Sequence, residues 1–290
     1  MKVKEIIDAL ELFAPLPLQD DFDNAGLQIG LTEAEDVTGA LLCLDVTEEV
    51  IREAIERGLN LVVAHHPLLF HPLKRVVGRN YVERCTQMAI RHGIAVYAAH
   101  TNLDNAVGGV NYEIARRIGL QDVHILEPRQ VNDVECGAGV IGELPEAVDE
   151  MDFLLNLKQD FKVDALLHNR LTGRKLKRVA LCGGAGAFLL DEAIAQGADC
   201  FITGEFHYHD YFGHDDEILM VEMGQKPFRA IQLYTWLYEK NASTFDEMTD
   251  ISLAFRNELK EKFCLSIPKI HTKQVSQDGT IKLLLELEED

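Results

Sequence analysis

Two adjacent histidines, His65 and His66, are the residues of this sequence best suited to chemistry at a metal ion. They follow the apolar run 61–64 and precede a proline. A short apolar run rich in β-branched residues predicts a buried parallel strand, and ligands of open α/β sheets bind where such strands end. Two imidazoles at that point can serve two neighbouring metal ions, and the alternative is a histidine pair in a solvated loop.

A second apolar run, residues 94–99, also ends at a histidine, His100, with Asp104 four residues later. Imidazole and carboxylate together suit zinc, manganese, iron or nickel, and a carboxylate can bridge two cations. Taken alone, His100 is explained as a structural histidine or one that orients a ligand, and Asp104 as a helix cap. The four residues as a cluster predict a divalent metal site, with one or two ions per chain.

Composition and charge limit the classes of protein to consider. The chain has 290 residues, of which 47% are hydrophobic, enough for one large or two modest domains with a real core. No apolar stretch approaches the roughly 18 residues of a membrane span, and the six cysteines include no Cys-x-x-Cys pair. We expect a cytoplasmic protein with reduced thiols. Its formal charge of −20 argues against nucleic acid as a partner.

Apolar strands alternate with amphipathic helices, which predicts an α/β fold. The predicted order in the first part of the chain is strand 37–45, helix 47–57, strand 59–64, helix 81–92 and strand 94–99. We expect an N-terminal α/β half with the His-His motif (residues 1–120), a small α+β lobe (121–176) and a C-terminal α/β half (177–290). The lobe should contain a helix near 146–159, and an amphipathic helix should open the chain with Ile6, Ile7, Leu10 and Phe13 on one side.

The C-terminal half resembles an internal repeat of the N-terminal half. At a constant offset of 139, Cys43 aligns with Cys182, Gly58 with Gly197, and His66 with Glu205. The repeat predicts two similar β-α-β-based domains facing a shared metal cleft, although two generic β-α-β units can also match by chance. Carboxylate and imidazole side chains would line the second wall of that cleft, namely Glu205, His207 and His209.

The glycine-rich run 182–186 lies between a predicted strand and helix, and its amides, at Gly184 for example, could approach a substrate phosphate. It lacks the lysine of a phosphate-binding P-loop, so a tight strand-to-helix turn is the stronger explanation. The sequence contains no Gly-x-Ser-x-Gly elbow and no cysteine in a recognisably activated setting. Metal chemistry is therefore favoured over nucleophilic catalysis.

Six motifs occur in an order that resembles a known family. They are residues 23–30, 44–47, 65–70, 100–104, 182–186 and 202–205. The sequence is similar to the GTP cyclohydrolase I type 2 homologues, also called the Nif-three-like dinuclear metal-centre family. The resemblance implies two like α/β domains, a dinuclear divalent-metal site and assembly into a toroidal homohexamer. It also implies that His65, His66 and Asp104 are metal ligands and that His100 lines the same site.

The sequence departs from the family's pattern after the last predicted strand, residues 218–222. The family places a histidine and a glutamate there as further ligands, whereas this chain has Gln225 and Arg229. Glutamine is a poor ligand for these metals and arginine is none, so at least one ion should bind weakly. Arg229 could instead pair with a substrate phosphate. Several side chains are candidates to support or replace the missing ligands, namely Glu205, Glu222, His100, His207, His209 and His214.

The resemblance implies a hydrolase that acts on a purine nucleotide or a related phosphorylated small molecule through metal-activated water. The departure from the ligand pattern keeps a second class open. In that alternative the protein is a non-catalytic metal-binding scaffold or regulatory protein that forms a ring-shaped oligomer. No individual catalytic residue can be assigned from the sequence.

Overall fold

Helices and strands alternate through the first 118 residues of the computed structural model. The elements of this part are α1 (Val3–Phe13), β1 (Gly26–Ile29), β2 (Ala40–Cys43), α2 (Glu48–Glu56), β3 (Leu61–Ala64), α3 (Tyr81–Arg91), β4 (Ala95–Ala98), α4 (Thr101–Asp104) and α5 (Val110–Ile118). The structure describes residues 1–30, 36–163, 165–211, 213–214 and 217–223, and the short stretches 242, 244–248, 256–257, 260, 269–275 and 281–286. The predicted alternation of strand and helix is confirmed.

The first sheet has the strand order β1-β4-β3-β2. Strands β2, β3 and β4 are parallel, and β1 closes one edge in antiparallel pairing with β4. The central strand β3 is buried along most of its length, because helices cover the sheet with side chains such as Ile51 and Cys85. The carboxyl ends of three parallel strands therefore lie side by side at one edge of this sheet.

Helix α2 shows how local sequence determines an element in this fold. Its N-cap residue is Thr47, whose hydroxyl accepts a hydrogen bond from the amide of Val50 (3.3 Å). Glu48 and Glu49 follow in the first turn, where acidic side chains stabilise the positive end of the helix dipole. The cap and the helix were both predicted. The helix predicted at the start of the chain is present as α1, in which Ile7 is buried and Phe13, at the end of the helix, is 54% exposed.

The second sheet has six strands in the order β5-β6-β8-β9-β10-β7. The elements are β5 (Gln121–Val131), β6 (Val134–Asp149), α6 (Glu150–Phe161), β7 (Leu166–His168), β8 (Lys175–Cys182), α7 (Leu190–Ala195), β9 (Cys200–Thr203) and β10 (Leu219–Met223). The helix predicted near 146–159 begins at Glu150 instead. The reason is that Val148 and Asp149 pair with β8 and so extend β6.

The two sheets contain the same arrangement twice. Ala40 pairs with Leu61 in the first sheet and Val179 with Cys200 in the second, so the parallel register recurs at the offset of 139. Helix α2 is matched by a 3-10 turn, Ala187–Leu189, that continues into α7. In both sheets an edge strand, β1 or β7, runs antiparallel to the third parallel strand. The strand, helix and strand predicted by the repeat are present.

Residues Met1–Gln225 form one compact unit and Lys226–Asp290 form another. In the second unit, β11 (Lys269–Val275) pairs antiparallel with β12 (Ile281–Glu286). The three-part division at residues 120 and 176 stays a prediction. Within the part of the chain that the structure describes, no helix has the length and apolar character needed to cross a membrane.

A buried asparagine on α5 joins the two halves of the first unit. The Oδ1 atom of Asn111 accepts a hydrogen bond from the amide of Gly183 (2.8 Å), and its Nδ2 atom donates to the carbonyl of Asp104 (3.0 Å). Asn111 is 2% exposed. The end of β8 is therefore held against the turn that follows β4.

Replacing Asn111 with alanine should lower the free energy of unfolding by about 1–3 kcal/mol, because it leaves a buried amide and carbonyl without their partner. Asn156→Ala on the exposed face of α6 is the control and should change stability by less than about 0.5 kcal/mol. Urea unfolding followed by circular dichroism measures both. Equal stability of the two variants would show that Asn111 does not join the halves.

Candidate metal centre

The backbone pairing of the first sheet continues past the last residue of β3. The amide of His65 donates to the carbonyl of Cys43 (3.1 Å), and the amide of His66 donates to that of Leu44 (2.9 Å). On the other side, the amide of Ala99 donates to the carbonyl of Ala64 (2.9 Å). The two histidines and the residue before His100 are thus held by the sheet itself.

The three imidazoles meet at this edge of the sheet. Ring centroids are 5.0 Å apart for His65 and His66, 5.2 Å for His65 and His100, and 5.6 Å for His66 and His100. One ligand atom from each ring lies within 4.8 Å of the other two. Among the described residues, these histidines are the group of side chains placed closely enough to share a metal ion.

Each imidazole is oriented by a hydrogen bond from its Nδ1 atom. The acceptor is the carbonyl of Ala99 for His65 (2.8 Å), Oδ1 of Asp45 for His66 (2.8 Å), and Oδ1 of Asp23 for His100 (2.7 Å). An Nδ1 atom that donates carries the proton of the neutral ring, which leaves the lone pair on Nε2. Histidines that bind metals in proteins are oriented in this way.

Asp23 is the central acceptor of this arrangement. Its carboxylate accepts hydrogen bonds from the amide of Thr101 (3.0 Å), from the Thr101 hydroxyl, and from the amide of Asn24 (2.7 Å), besides the bond from His100. Burial opposes ionisation of Asp23, but the hydrogen bonds from Thr101 and His100 outweigh it and lower the pKa of Asp23. Asp23 is therefore ionised at neutral pH and holds His100 in one orientation.

Asp104 lies beside the imidazoles, with Oδ1 3.8 Å from Nε2 of His65. Burial raises the pKa of Asp104 to about 7, and the negative charges of Asp23 and Asp20 add to the effect. Burial also lowers the pKa of His65, which keeps its imidazole neutral. Three imidazoles that are each hydrogen-bonded through Nδ1, next to a carboxyl group among other acidic groups, form a donor set that fits a divalent cation.

The other predicted ligands lie apart from this group. Glu205 and His207 are exposed, and the Nδ1 atom of His207 is 3.4 Å from a carboxylate oxygen of Asp210. Glu222 is buried at the end of β10 and accepts a hydrogen bond from the hydroxyl of Tyr211 (2.9 Å). Their role as substitute ligands stays a prediction.

The glycine-rich run uses several of its own backbone groups to hold the turn. The amide of Gly186 donates to the hydroxyl of Thr203 (2.8 Å), and the carbonyl of Gly184 accepts from both that hydroxyl and the amide of Gly204 (2.9 Å each). Gly184 has a φ of +68°, which glycine adopts without strain. These contacts favour the tight turn over a phosphate cradle, and phosphate binding at Gly184 stays a prediction.

The chain matches one protein family over most of its length. The family described as Duf34/NIF3 (NGG1p interacting factor 3) covers residues 1–226. The chain belongs to the Duf34/NIF3 family. The resemblance stated from its motifs is therefore confirmed.

Two curated relatives carry the name "GTP cyclohydrolase 1 type 2 homolog". The protein from Clostridium acetobutylicum is 34% identical over 209 residues, which cover 72% of this chain and 78% of the relative. The protein from Lactococcus lactis is 35% identical over 219 residues, which cover 74% of this chain and 81% of the relative. A crystal structure of a Staphylococcus aureus protein has a TM-score of 0.72 and 27% identity, covering 82% of this chain and 92% of that one. The predicted α/β fold is thus confirmed.

The match to the Duf34/NIF3 family ends three residues after β10. A second family, described as the ribosomal RNA large subunit methyltransferase N-terminal domain, matches residues 217–265, well under half of the chain. Gln225 and Arg229 lie outside the described residues. The statement that they occupy ligand positions of the family stays a prediction, as does phosphate binding by Arg229.

Sequence reasoning did not assign a role to Asp23 or Asp45, although both lie within motifs shared with the Duf34/NIF3 family. Asp45 lies two residues after the end of β2, and the parallel pairing of β2 with β3 brings it next to His66. Carboxyl ends of adjacent parallel strands always lie together, so the end of β2 was a detectable signal. Asp23 precedes β1, and its contact with His100 could not be found without the fold.

Replacing Asp45 with alanine should weaken zinc binding about tenfold, because His66 loses the hydrogen bond that orients its ring. Glu56→Ala removes one negative charge from the exposed end of α2 and should leave zinc affinity unchanged. Competition with a chelator of known affinity measures both variants. Equal zinc affinity in Asp45→Ala and the unmodified protein would contradict this role.

Proposed function

We propose that this protein is a divalent-metal-dependent hydrolase that acts on a purine nucleotide or a related phosphorylated small molecule. The observation that carries the proposal is the convergence of His65, His66 and His100, each with Nδ1 committed to a hydrogen bond and Nε2 free. A histidine with a purely structural role does not require two neighbouring histidines whose Nε2 atoms are also free. Zinc, manganese, iron and nickel all suit this donor set.

In the proposed function, one group of side chains binds the metal ion and a second group orients the imidazoles. His65 and His66 would hold the ion, with Asp104 as the carboxylate ligand and His100 as a third imidazole beside them. A bound divalent ion supplies Lewis acidity and lowers the pKa of water toward neutrality. Asp23 and Asp45 keep the imidazoles in the tautomer that can bind, so that no side chain has to reorganise during reaction.

The substrate class is supported by the name of the relatives, "GTP cyclohydrolase 1 type 2 homolog". Water activated at the cleft would attack a ring carbon of a purine. A homohexamer remains part of the proposal, since it rests on family resemblance. The competing proposal is a metal-binding scaffold. The family match ends at residue 226, before Arg229, the second of the two expected ligand positions, and this favours the scaffold.

Replacing His65 or Asp104 with alanine should remove most of the bound divalent metal, because each substitution deletes one ligand. His92→Ala, at the exposed end of α3, is the matched control and should retain full metal content. Elemental analysis by mass spectrometry after dialysis measures the ion, while far-ultraviolet circular dichroism confirms the fold. Unchanged metal content in both site variants would defeat the proposal.

Turnover distinguishes the hydrolase from the scaffold. The metal-loaded protein should release formate from GTP, and His65→Ala should not. A protein that binds metal stoichiometrically but releases no formate from GTP is better explained as a scaffold.

The double substitution Gln225→His with Arg229→Glu should raise the metal content from at most about one ion per chain toward two. The change replaces a poor ligand and a cation with two groups that bind such metals. Titration calorimetry with manganese reports the stoichiometry. If the unmodified protein already binds two ions tightly, other side chains complete the site and the expectation is wrong.

A further inference from the structure

Two exposed phenylalanines lie next to the histidine cluster and take no part in holding it. Phe22 is 67% exposed and Phe70 is 38% exposed. Their ring centroids are 6.4 Å apart, and Phe70 is also 6.4 Å from the imidazole of His100. We name this pair the aromatic ledge. Exposed aromatic side chains grouped beside a polar site are typical of ligand-binding surfaces.

The loops that carry the ledge are bound to each other. The Nδ2 atom of Asn24 donates to the carbonyl of Leu69 (2.6 Å), and the amide of Leu69 donates to Oε1 of Gln28 (2.7 Å). The Nε2 atom of Gln28 in turn donates to the carbonyl of Asn24 (2.6 Å). Phe70 follows Leu69 of this network, and Phe22 precedes Asp23, which supports His100, so the backbone that carries each ring is held by hydrogen bonds.

The ring contacts within the ledge are edge-on. The planes of Phe22 and Phe70 meet at 61°, and those of Phe70 and His100 at 89°. Neither contact is a parallel stack, which is the geometry that a planar heterocycle adopts on an aromatic side chain. A flat ring from solvent can therefore add a contact that the protein does not make with itself.

The negative charge around the ledge favours stacking of a planar ring over binding of a phosphate group at the same place. Asp21 and Asp23 flank Phe22 in the sequence and are acidic, whereas Asp20 is paired with Arg129 (3.0 Å), and the chain as a whole carries a formal charge of −20. A phosphorylated ligand is repelled by these groups except where a metal ion faces it. Binding energy for such a ligand must then come from its ring.

We propose that the aromatic ledge binds the planar base of a purine nucleotide by stacking and so places that base beside the histidine cluster. The inference rests on the proposed function, whose substrate class it makes specific. Phe22 and Phe70 are positioning residues, since they touch the base and leave the metal ligands unchanged.

The test compares GTP with inorganic tripolyphosphate, which has the phosphates but no ring, by titration calorimetry on the full chain loaded with zinc. GTP should bind more tightly than tripolyphosphate. Phe70→Leu and, separately, Phe22→Leu should each weaken GTP binding about tenfold, with tripolyphosphate binding and zinc content unchanged. Phe13→Leu, at the exposed end of α1, is the control and should bind GTP normally. Circular dichroism identifies a variant that fails to fold, in which case the other variant decides.

Equal affinities for GTP and tripolyphosphate in the unmodified protein would overturn the proposal, and so would normal GTP binding by both ledge variants. If those variants instead change the sedimentation coefficient, the ledge is a contact between copies of the chain and the proposal falls. Zinc content separates this failure from that of the proposed function. A protein without bound zinc loses the metal-dependent function. A titration with guanosine, which has the ring but no phosphate, then decides whether the ledge binds the base: binding that is weakened in both ledge variants supports it, and no binding overturns it.

Discussion

The in-register parallel pairing of β3 between β2 and β4 is the constraint on which the site depends. Cys43 pairs with Ala64, and Ala64 pairs with Ala98, so all three strands end at one level. The pairing continues by backbone hydrogen bonds into His65 and His66. A shift of register by one residue would turn the imidazoles to the opposite faces of the sheet and separate them from His100.

The fold repeats this strand arrangement, and among the described residues the cluster of three imidazoles lies in the first copy. At the equivalent of His65 and His66, the second sheet continues from β9 into Gly204 and Glu205. The link between β9 and β10 is also reduced to a short 3-10 turn, Tyr208–Tyr211, among the residues described. The second copy instead supports the first, because Asn111 fastens the end of β8 to the backbone of Asp104. The two copies of the arrangement are thus joined through Asn111, and the cluster of three imidazoles lies in the first of them.

The periodicity of the apolar residues and the polar residues at strand ends predicted much of the secondary structure and the place of the histidine cluster. Apolar runs placed β3 and β4 within a residue or two, and the threonine cap predicted the start of α2, because these signals are local. The support of His100 by Asp23 was not predictable, since it joins residues 77 apart in the sequence. The exposure of Phe13 at the end of α1 was not predictable either, because the period of a helix does not tell where the layer that covers it ends. The aromatic ledge depends in the same way on two loops that only the fold brings together.

The hydrogen bonds at Nδ1 leave three Nε2 atoms free to receive a divalent ion. Anomalous X-ray diffraction from crystals grown with zinc tests this arrangement directly. We expect an anomalous peak about 2.0–2.1 Å from Nε2 of His65 or His66, with the bonds from Nδ1 to Ala99 and Asp45 intact. A fully occupied zinc ion bound through Nδ1, or the absence of any peak at this cleft in zinc-saturated crystals, would contradict it.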